Sequence, residues 1–399
     1  MANLLEASAF RRAGLRLWDR YLRYLTKRER LRPWNRVQPY FRGEEAFAAM
    51  LDAITGASRT IHLEIYIWAD DRTGRRFRDA LTERARAGIR VRAIYDSVGS
   101  FALTDAFFAP LRAAGATVLP YAPLLPWRRN FGLNRRDHQK ILVVDDKLAF
   151  AGGLNLTDEY MPIEQGGEGW YDIHARVEGL AVRDLAMLFR RTWVKSGGDR
   201  FAEPGPAQPI LPVGEESVPG VQVFSNVWMR SRSHMRQAYL RAIRRSDRSI
   251  HIMNAYFIPD HGLRRAFALA AARGVSVRVI VPSRSDVPAV AHATRRLYSR
   301  LLSSGVRIFE WPGSMMHAKA GVIDGIWSTI GSYNLDKRSF LHNLEVGLIV
   351  VDGKTGELMD QRFEEACSIS REIILEEWER RGWWPRAKEW FCYQLRYWL

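Results

Sequence analysis

Two histidines and two lysines, placed alike in the two halves of the chain, carry the strongest chemical signal in this 399-residue sequence. The first set runs His138-Gln139-Lys140, then four residues to Asp145, six more to Gly152-Gly153, and Asn155 beyond Leu154. The second runs His317-Ala318-Lys319, four residues to Asp324, six to Gly331-Ser332, and Asn334 beyond Tyr333. A lone His-x-Lys is an ordinary strand end, but the full pattern repeated at the same place in both halves is not chance. A strand has a two-residue period, so His138 and Lys140 leave one face together, as do His317 and Lys319. An imidazole beside an ammonium group can both bind a phosphate and attack it.

One phosphodiester needs two imidazoles. A neutral one attacks phosphorus and a protonated one donates to the leaving alkoxide, and a pKa of about 6.5 permits both states at neutral pH. Each half supplies one histidine, so the halves are expected to share a site that works through a phosphohistidine. Lys140, Lys319, Asn155 and Asn334 are expected to bind the phosphate and carry its transition-state charge, with no metal and no cofactor. Gly152-Gly153 is expected to let the backbone approach an anion closely. Asp145 and Asp324 complete the catalytic motif, yet each lies seven positions from its histidine. That puts them on the opposite face of a continuing strand, where holding the turn is the expected role. An attacking imidazole also needs a partner on its other nitrogen. Asp172 and Glu345, at comparable distances after the two motif histidines, are the candidates to orient them. His174 and His251 sit in apolar strand patterns and are expected in the core or behind the site.

The elements that must position these groups repeat as well. Ile61-His62-Leu63 matches Ile250-His251-Ile252, and the helix-Gly-strand stretch 87–94 matches 273–280. Ala114-Gly115-Ala116-Thr117-Val118 matches Ser304-Gly305-Val306-Arg307-Ile308. Each half reads strand, helix, strand, helix, strand. The fold class is therefore α/β: two similar halves, each a mixed, largely parallel sheet flanked by helices, with one active site at their interface. The expected divisions are a basic amphipathic segment 1–37, a first half 38–200, a Pro-rich linker 201–218, a second half 219–370, and an aromatic-basic tail 371–399.

At these motifs the sequence resembles the phospholipase D superfamily, and within it the short, soluble type of bacterial cardiolipin synthase. The supporting segments are Leu63-Glu64-Ile65-Tyr66-Ile67, the stretch from Gly152 to Tyr160, Tyr256-Phe257-Ile258-Pro259-Asp260, and the stretch from Gly331 to Phe340. The resemblance spans roughly residues 38–370 and implies paired α/β halves around one site. It implies that one histidine becomes phosphatidylated, with His138 the more usual choice, while His317 is the acid and base. It also makes Asp172 and Glu345 look like the histidines' partners. The implied reaction condenses two phosphatidylglycerols into cardiolipin and releases glycerol, although some relatives draw on phosphatidylethanolamine. The alternative is a hydrolase or nuclease of the same superfamily.

Composition agrees with a polyanionic partner. Sixty Lys and Arg against 44 Asp and Glu give a net charge of +16, which serves an anionic bilayer or nucleic acid equally well. Between Phe10 and Arg36 there are nine Arg and one Lys beside a stripe of Leu15, Trp18, Leu22 and Leu25, a pattern suited to a membrane surface. The tail adds Trp383, Trp384, Trp390 and Trp398 among Arg386, Lys388 and Arg396. The apolar loop 120–136 is a possible lining for acyl chains. The aromatics are not spaced along a basic groove, so nucleic acid is the less expected partner. No window reaches the ~20 apolar residues of a spanning helix, and Cys367 and Cys392 make no disulfide framework. The expected location is peripheral, on the cytoplasmic face of the inner membrane.

Overall fold

The computed structural model describes residues 31–123, 135–205, 207–211, 219–226 and 234–397. The basic segment up to residue 30 and the apolar loop residues 124–134 lie outside these. The first half contains β1 (Asn35–Tyr40), α1 (Gly43–Thr55), β2 (Thr60–Ile65), α2 (Arg72–Arg86), β3 (Arg90–Asp96), α3 (Asp105–Ala113) and β4 (Thr117–Tyr121). It continues through β5 (Ile141–Val144), β6 (Leu148–Gly152), β7 (His174–Gly179) and α4 (Ala181–Lys195). The second contains β8 (Gly220–Ser225), α5 (His234–Arg245), β9 (Ser249–Asn254), α6 (His261–Ala272), β10 (Ser276–Pro282), α7 (Pro288–Arg295), α8 (Tyr298–Leu302) and β11 (Arg307–Trp311). It ends with β12 (Lys319–Ile323), β13 (Trp327–Gly331), α9 (Lys337–Leu341), β14 (Val346–Val351), α10 (Gly353–Ile369), β15 (Arg371–Glu372), α11 (Leu375–Glu379) and α12 (Trp383–Gln394).

The sheets have the same strand order. The first runs β1-β7-β6-β5-β2-β3-β4 and the second β8-β14-β13-β12-β9-β10-β11, with β15 added at its edge. Both are mixed, but largely parallel is a correction to make: only β2–β3, β3–β4, β9–β10 and β10–β11 are parallel. The reason is local. The strand after each motif lysine turns back at once through Asp145-Asp146 or Asp324-Gly325, and such a hairpin makes antiparallel neighbours only. The parallel strands are those joined by α2, α3, α6 and the α7–α8 pair, whose C-terminal glycines Gly88, Gly115, Gly274 and Gly305 have φ of +84°, +96°, +86° and +85°. Those left-handed caps are what the repeated glycines supply.

Alternation along β5 shows how the layers form. Leu142 and Val144 join an outer core with Ile61, Leu63, Phe77 and Leu81, under α1 and α2. Ile141 and Val143 face inward, where they share a core with Ala320, Val322 and Leu348 of the other half. The two sheets thus meet through their inner faces, with α4 and α10 completing that layer. Beyond the second sheet, Ile250, Ile252, Val277 and Val279 pack against Ala242, Leu263 and Phe267.

The motif aspartates hold the turns and sit at the strand ends remote from the histidines. Asp145 accepts from Ser58 N (2.8 Å) and Oγ (2.7 Å), Arg59 N (2.7 Å) and Thr60 N (2.8 Å). Asp324 does the same for Asp247 N, Arg248 N and Ser249 N at 2.7–2.9 Å. Each caps the start of the strand beside it, and each has a φ near +55° that aspartate tolerates. Their place in the catalytic set is therefore corrected to one of turn geometry: four strand residues separate each of them from its motif lysine.

Candidate active site

The histidines are delivered by short segments that cross between the halves. Arg136, Asp137 and His138 lead into β5. Arg136 is buried against the equally buried Asp96, Nη2 to Oδ1 at 2.9 Å. The other Asp96 oxygen accepts from Asp137 N at 2.8 Å. From that anchor, His138 N donates to Leu344 O and Leu344 N to Arg136 O, both at 2.8 Å. The second half mirrors this: His317 N donates to Tyr171 O (2.7 Å) and Tyr171 N to Met315 O (2.9 Å). Leu344 and Tyr171 are the residues immediately before Glu345 and Asp172. Each docking therefore carries a histidine onto the carboxylate of the opposite half. His138 Nδ1 lies 2.9 Å from Glu345 Oε2, and His317 Nδ1 lies 2.7 Å from Asp172 Oδ2.

The crossing ties both halves to one site and leaves Nε2 of each ring as the nitrogen that the carboxylate does not engage. It rests on the Arg136–Asp96 pair, and removing one member strands a buried charge, at a cost of about 3–5 kcal/mol. Arg136→Ala is expected to lower unfolding stability by that amount in a denaturant titration.

Burial sets the electrostatics. His138 is held well below its ordinary pKa, first by desolvation and then by Lys140, Lys319 and His317. His317 is lowered too, by desolvation and Lys319, but Asp172 pulls it back up. Desolvation brings Lys140 down to about 7 and Lys319 to about 8. Both lysines therefore sit near the point of losing their proton at neutral pH, and an anion beside them would favour their charged forms. Each lysine donates to the backbone carbonyl of its own histidine, Lys140 at 2.9 Å. Burial raises Glu345 to about 7 despite Lys140 and the donors Ser332 and Asn343. Asp172 accepts from Ile173 N at 2.7 Å and lies 4.0 Å from Lys319 Nζ. Asn155 and Asn334 turn their carbonyls toward Ile67 N (3.2 Å) and Tyr256 N (3.3 Å), while the Asn155 amide donates to Tyr160 Oη at 3.2 Å. Among the described residues, no group of three or more His, Cys, Asp or Glu side chains gathers as metal ligands.

The glycine pair serves a purpose other than the expected anion approach. A Cβ on Gly153 would lie 2.1 Å from Asp172 Oδ1, and one on Gly152 would lie 2.5 Å from His174 Cα. These glycines make room for the carboxylate and for the start of β7. In the second half, Ser332 stands where Gly153 does and donates to Glu345 instead. His174 is fully enclosed, and His251 is paired with Asp360 at 2.7 Å, away from both motif rings.

Aromatic residues that the spacing argument did not single out complete the walls. Tyr160 Oη is 3.1 Å from His317 Nδ1, the Trp170 ring centroid 5.7 Å from that of His317, and the Tyr66 ring 4.8 Å from His138. Tyr66 and Tyr160 fall in segments that carry the family resemblance, and Trp170 stands two residues before Asp172.

The family model described as "Cardiolipin synthase, PLD-like domain" matches residues 50–182 and 239–367, one stretch in each half. The chain belongs to this family. It is 37% identical over 325 residues to a cardiolipin synthase of Geobacillus thermodenitrificans, covering 81% of this chain and 64% of that relative. With a cardiolipin synthase of Geobacillus kaustophilus it shares 36% identity, covering 87% of this chain and 69% of that one. The chain thus spans about two thirds of the length of these curated relatives. A phosphatidylserine synthase of Haemophilus influenzae has the same fold, with a TM-score of 0.69 at 14% identity over 91% of this chain and 94% of that one. Both matched stretches, and with them both motifs, lie within one chain, so the crossing is made without a second copy.

Proposed function

We propose that this chain is a phosphatidyltransferase that moves a phosphatidyl group onto phosphatidylglycerol through a phosphohistidine and releases glycerol. The observation that carries the reading is the crossed pairing: two imidazoles, each fixed through Nδ1 by the other half's carboxylate, with two buried lysines that act on the rings. Nε2 of neutral His138 attacks phosphorus while His317 gives its proton to the departing glycerol oxygen. His317, now neutral, takes the proton of an incoming phosphatidylglycerol hydroxyl. That oxygen forms the new P–O bond as the P–N bond breaks and frees His138. Lys140, Lys319, Asn155 and Asn334 hold the phosphoryl oxygens throughout. The surroundings support this order: Asp172 favours a proton on His317, while Lys140, Lys319 and Arg338 disfavour one on His138. The cardiolipin synthases among its relatives support the choice of acceptor.

An anionic membrane surface is the partner we assign, met peripherally on its cytoplasmic side. No helix among the described residues is long and apolar enough to cross a membrane. Helix α12 instead presents Trp383, Trp384, Trp390 and Phe391 to solvent, and its one buried residue is Glu389, paired with Arg381 at 2.6 Å. Aromatic residues mixed with Arg386 and Lys388 suit a bilayer interface. Lys337, three residues beyond Asn334, lies 5.7 Å over the Tyr397 ring just past α12, so this surface adjoins the second motif. Replacing Trp383, Trp384, Trp390 and Phe391 with Ser is expected to reduce co-sedimentation with phosphatidylglycerol vesicles at least about tenfold. Turnover of detergent-dispersed lipid should hold; unchanged sedimentation would reject the surface.

The function itself is tested by incubating the purified chain with labelled phosphatidylglycerol in mixed micelles and separating the products. Cardiolipin with glycerol is expected. Phosphatidic acid alone would indicate the hydrolase, and DNA cleavage without lipid turnover would indicate the nuclease.

A further inference from the structure

The two halves differ at one equivalent place, and the difference leaves a cavity. In the second half, His251 on β9 pairs in register with Arg278 on β10 and lies flat on Phe363 of α10, with centroids 4.4 Å apart and planes at 4°. Two carboxylates of α10 complete the cluster. Asp360 lies 2.7 Å from His251 Nδ1, and Glu364 accepts from Arg278 Nη1 at 2.8 Å. In the first half, His62 on β2 pairs in register with Arg92 on β3 and lies on Phe189 of α4 at 4.7 Å and 4°. The helix positions that hold Asp360 and Glu364, three before and one after the phenylalanine, are here Ala186 and Arg190.

Both carboxylates are therefore missing from the first cluster, and one is replaced by a second arginine. A cavity of about 580 Å³ opens there, lined by His62, Arg92, Ala186, Arg59, Arg90 and Phe201. Arg92 and Arg190 both lie over the Phe201 ring, at 4.2 and 5.0 Å. His62 is only 3% exposed, and its Nε2 and the buried Nη1 of Arg190 have no hydrogen-bond partner. Buried polar groups ordinarily do. Of the acids at the wall, Asp145 is saturated by the four donors already described, Asp146 lies near Arg59 and Arg90, and Glu203 is paired with Arg183 at 3.9 Å. Asp199 approaches Arg92 from outside, at 3.6 Å.

We propose that this cavity binds a phosphate monoester, whose oxygens take the places that Asp360 and Glu364 fill in the second half. A phosphate monoester carries the charge of two carboxylates on one group and matches the planar donor fork of arginine. The size suits a small organic ligand. The phosphate could come from a soluble metabolite or from a lipid with a bare phosphate headgroup, and the experiment separates the two.

The variant Ala186→Asp/Arg190→Glu copies the second half and should fill the site from within. Full-length chains are titrated calorimetrically with sn-glycerol 3-phosphate at fixed ionic strength, and with phosphatidylcholine vesicles with and without phosphatidic acid. The histidine site is intact in both chains, so a difference between them reports the cavity. Loss of one binding equivalent, or at least tenfold weaker binding, supports the proposal. Loss with glycerol phosphate points to a soluble ligand, and loss with phosphatidic acid vesicles alone points to a lipid. Identical titrations with both probes overturn it. Should the double variant fail to fold, Arg92→Gln is read by the same criteria.

Discussion

A His138→Ala chain is expected to lose turnover of phosphatidylglycerol by about 10³-fold or more, because no second nucleophile stands in its place. The neighbouring groups do not substitute: Lys140 donates to the His138 carbonyl and to the phosphate, and Glu345 reaches the site through the ring it holds. His317→Ala should suffer a similar loss in steady state for a different reason. Without a proton donor the glycerol leaves slowly, and without a base the acceptor hydroxyl attacks slowly, each step losing about 10²–10⁴-fold. Steady-state rates in mixed micelles check both, with circular dichroism confirming that each variant is folded. If both single variants remain active, the two-histidine mechanism is wrong.

Asp172→Asn is expected to lower turnover by about 10²–10⁴-fold although Asp172 touches no substrate, because an amide in its place favours the wrong tautomer of the ring it holds. The crossing specifies which ring. Asp172 lies in the first half but holds His317 of the second, so Asp172→Asn should add little to His317→Ala and behave as its equivalent. Glu345→Gln should couple in the same way to His138→Ala. A double-mutant cycle on turnover reads this directly: near-complete non-additivity is expected for Asp172 with His317, because His317→Ala removes the ring that Asp172 holds. A further large loss on adding Asp172→Asn to His317→Ala would mean that each half orients its own histidine.

Much of this arrangement is legible in the sequence because it is written twice. Repetition exposes the motif residues, the βαβαβ order of each half, and the pair Asp172 and Glu345. What the sequence leaves out depends on contacts between segments far apart in the chain. The crossing arises because residues 136–138 dock on 344 and residues 315–317 on 171, separations that no local pattern encodes. The glycine pair misleads for the same reason: a missing side chain says that something comes close, and only the fold shows that Asp172 and His174 do. The sequence overstates the parallel character of the sheets because the βαβαβ run dominates the pattern while the hairpins at Asp145 and Asp324 are short. Asp145 and Asp324 are the opposite case, since period-two geometry alone sends them to the turn.

The covalent intermediate is the centre of this mechanism, and one measurement reaches it. Phosphatidyl-labelled substrate is given to the wild-type chain for a brief pulse, the reaction is quenched in denaturant, and the acid-labile label is mapped to a peptide. Label on the peptide carrying His138, lost in His138→Ala, is the expected result. Label on His317 alone would reverse the order of the two histidines, and rapid turnover with no label on either would contradict the phosphohistidine mechanism.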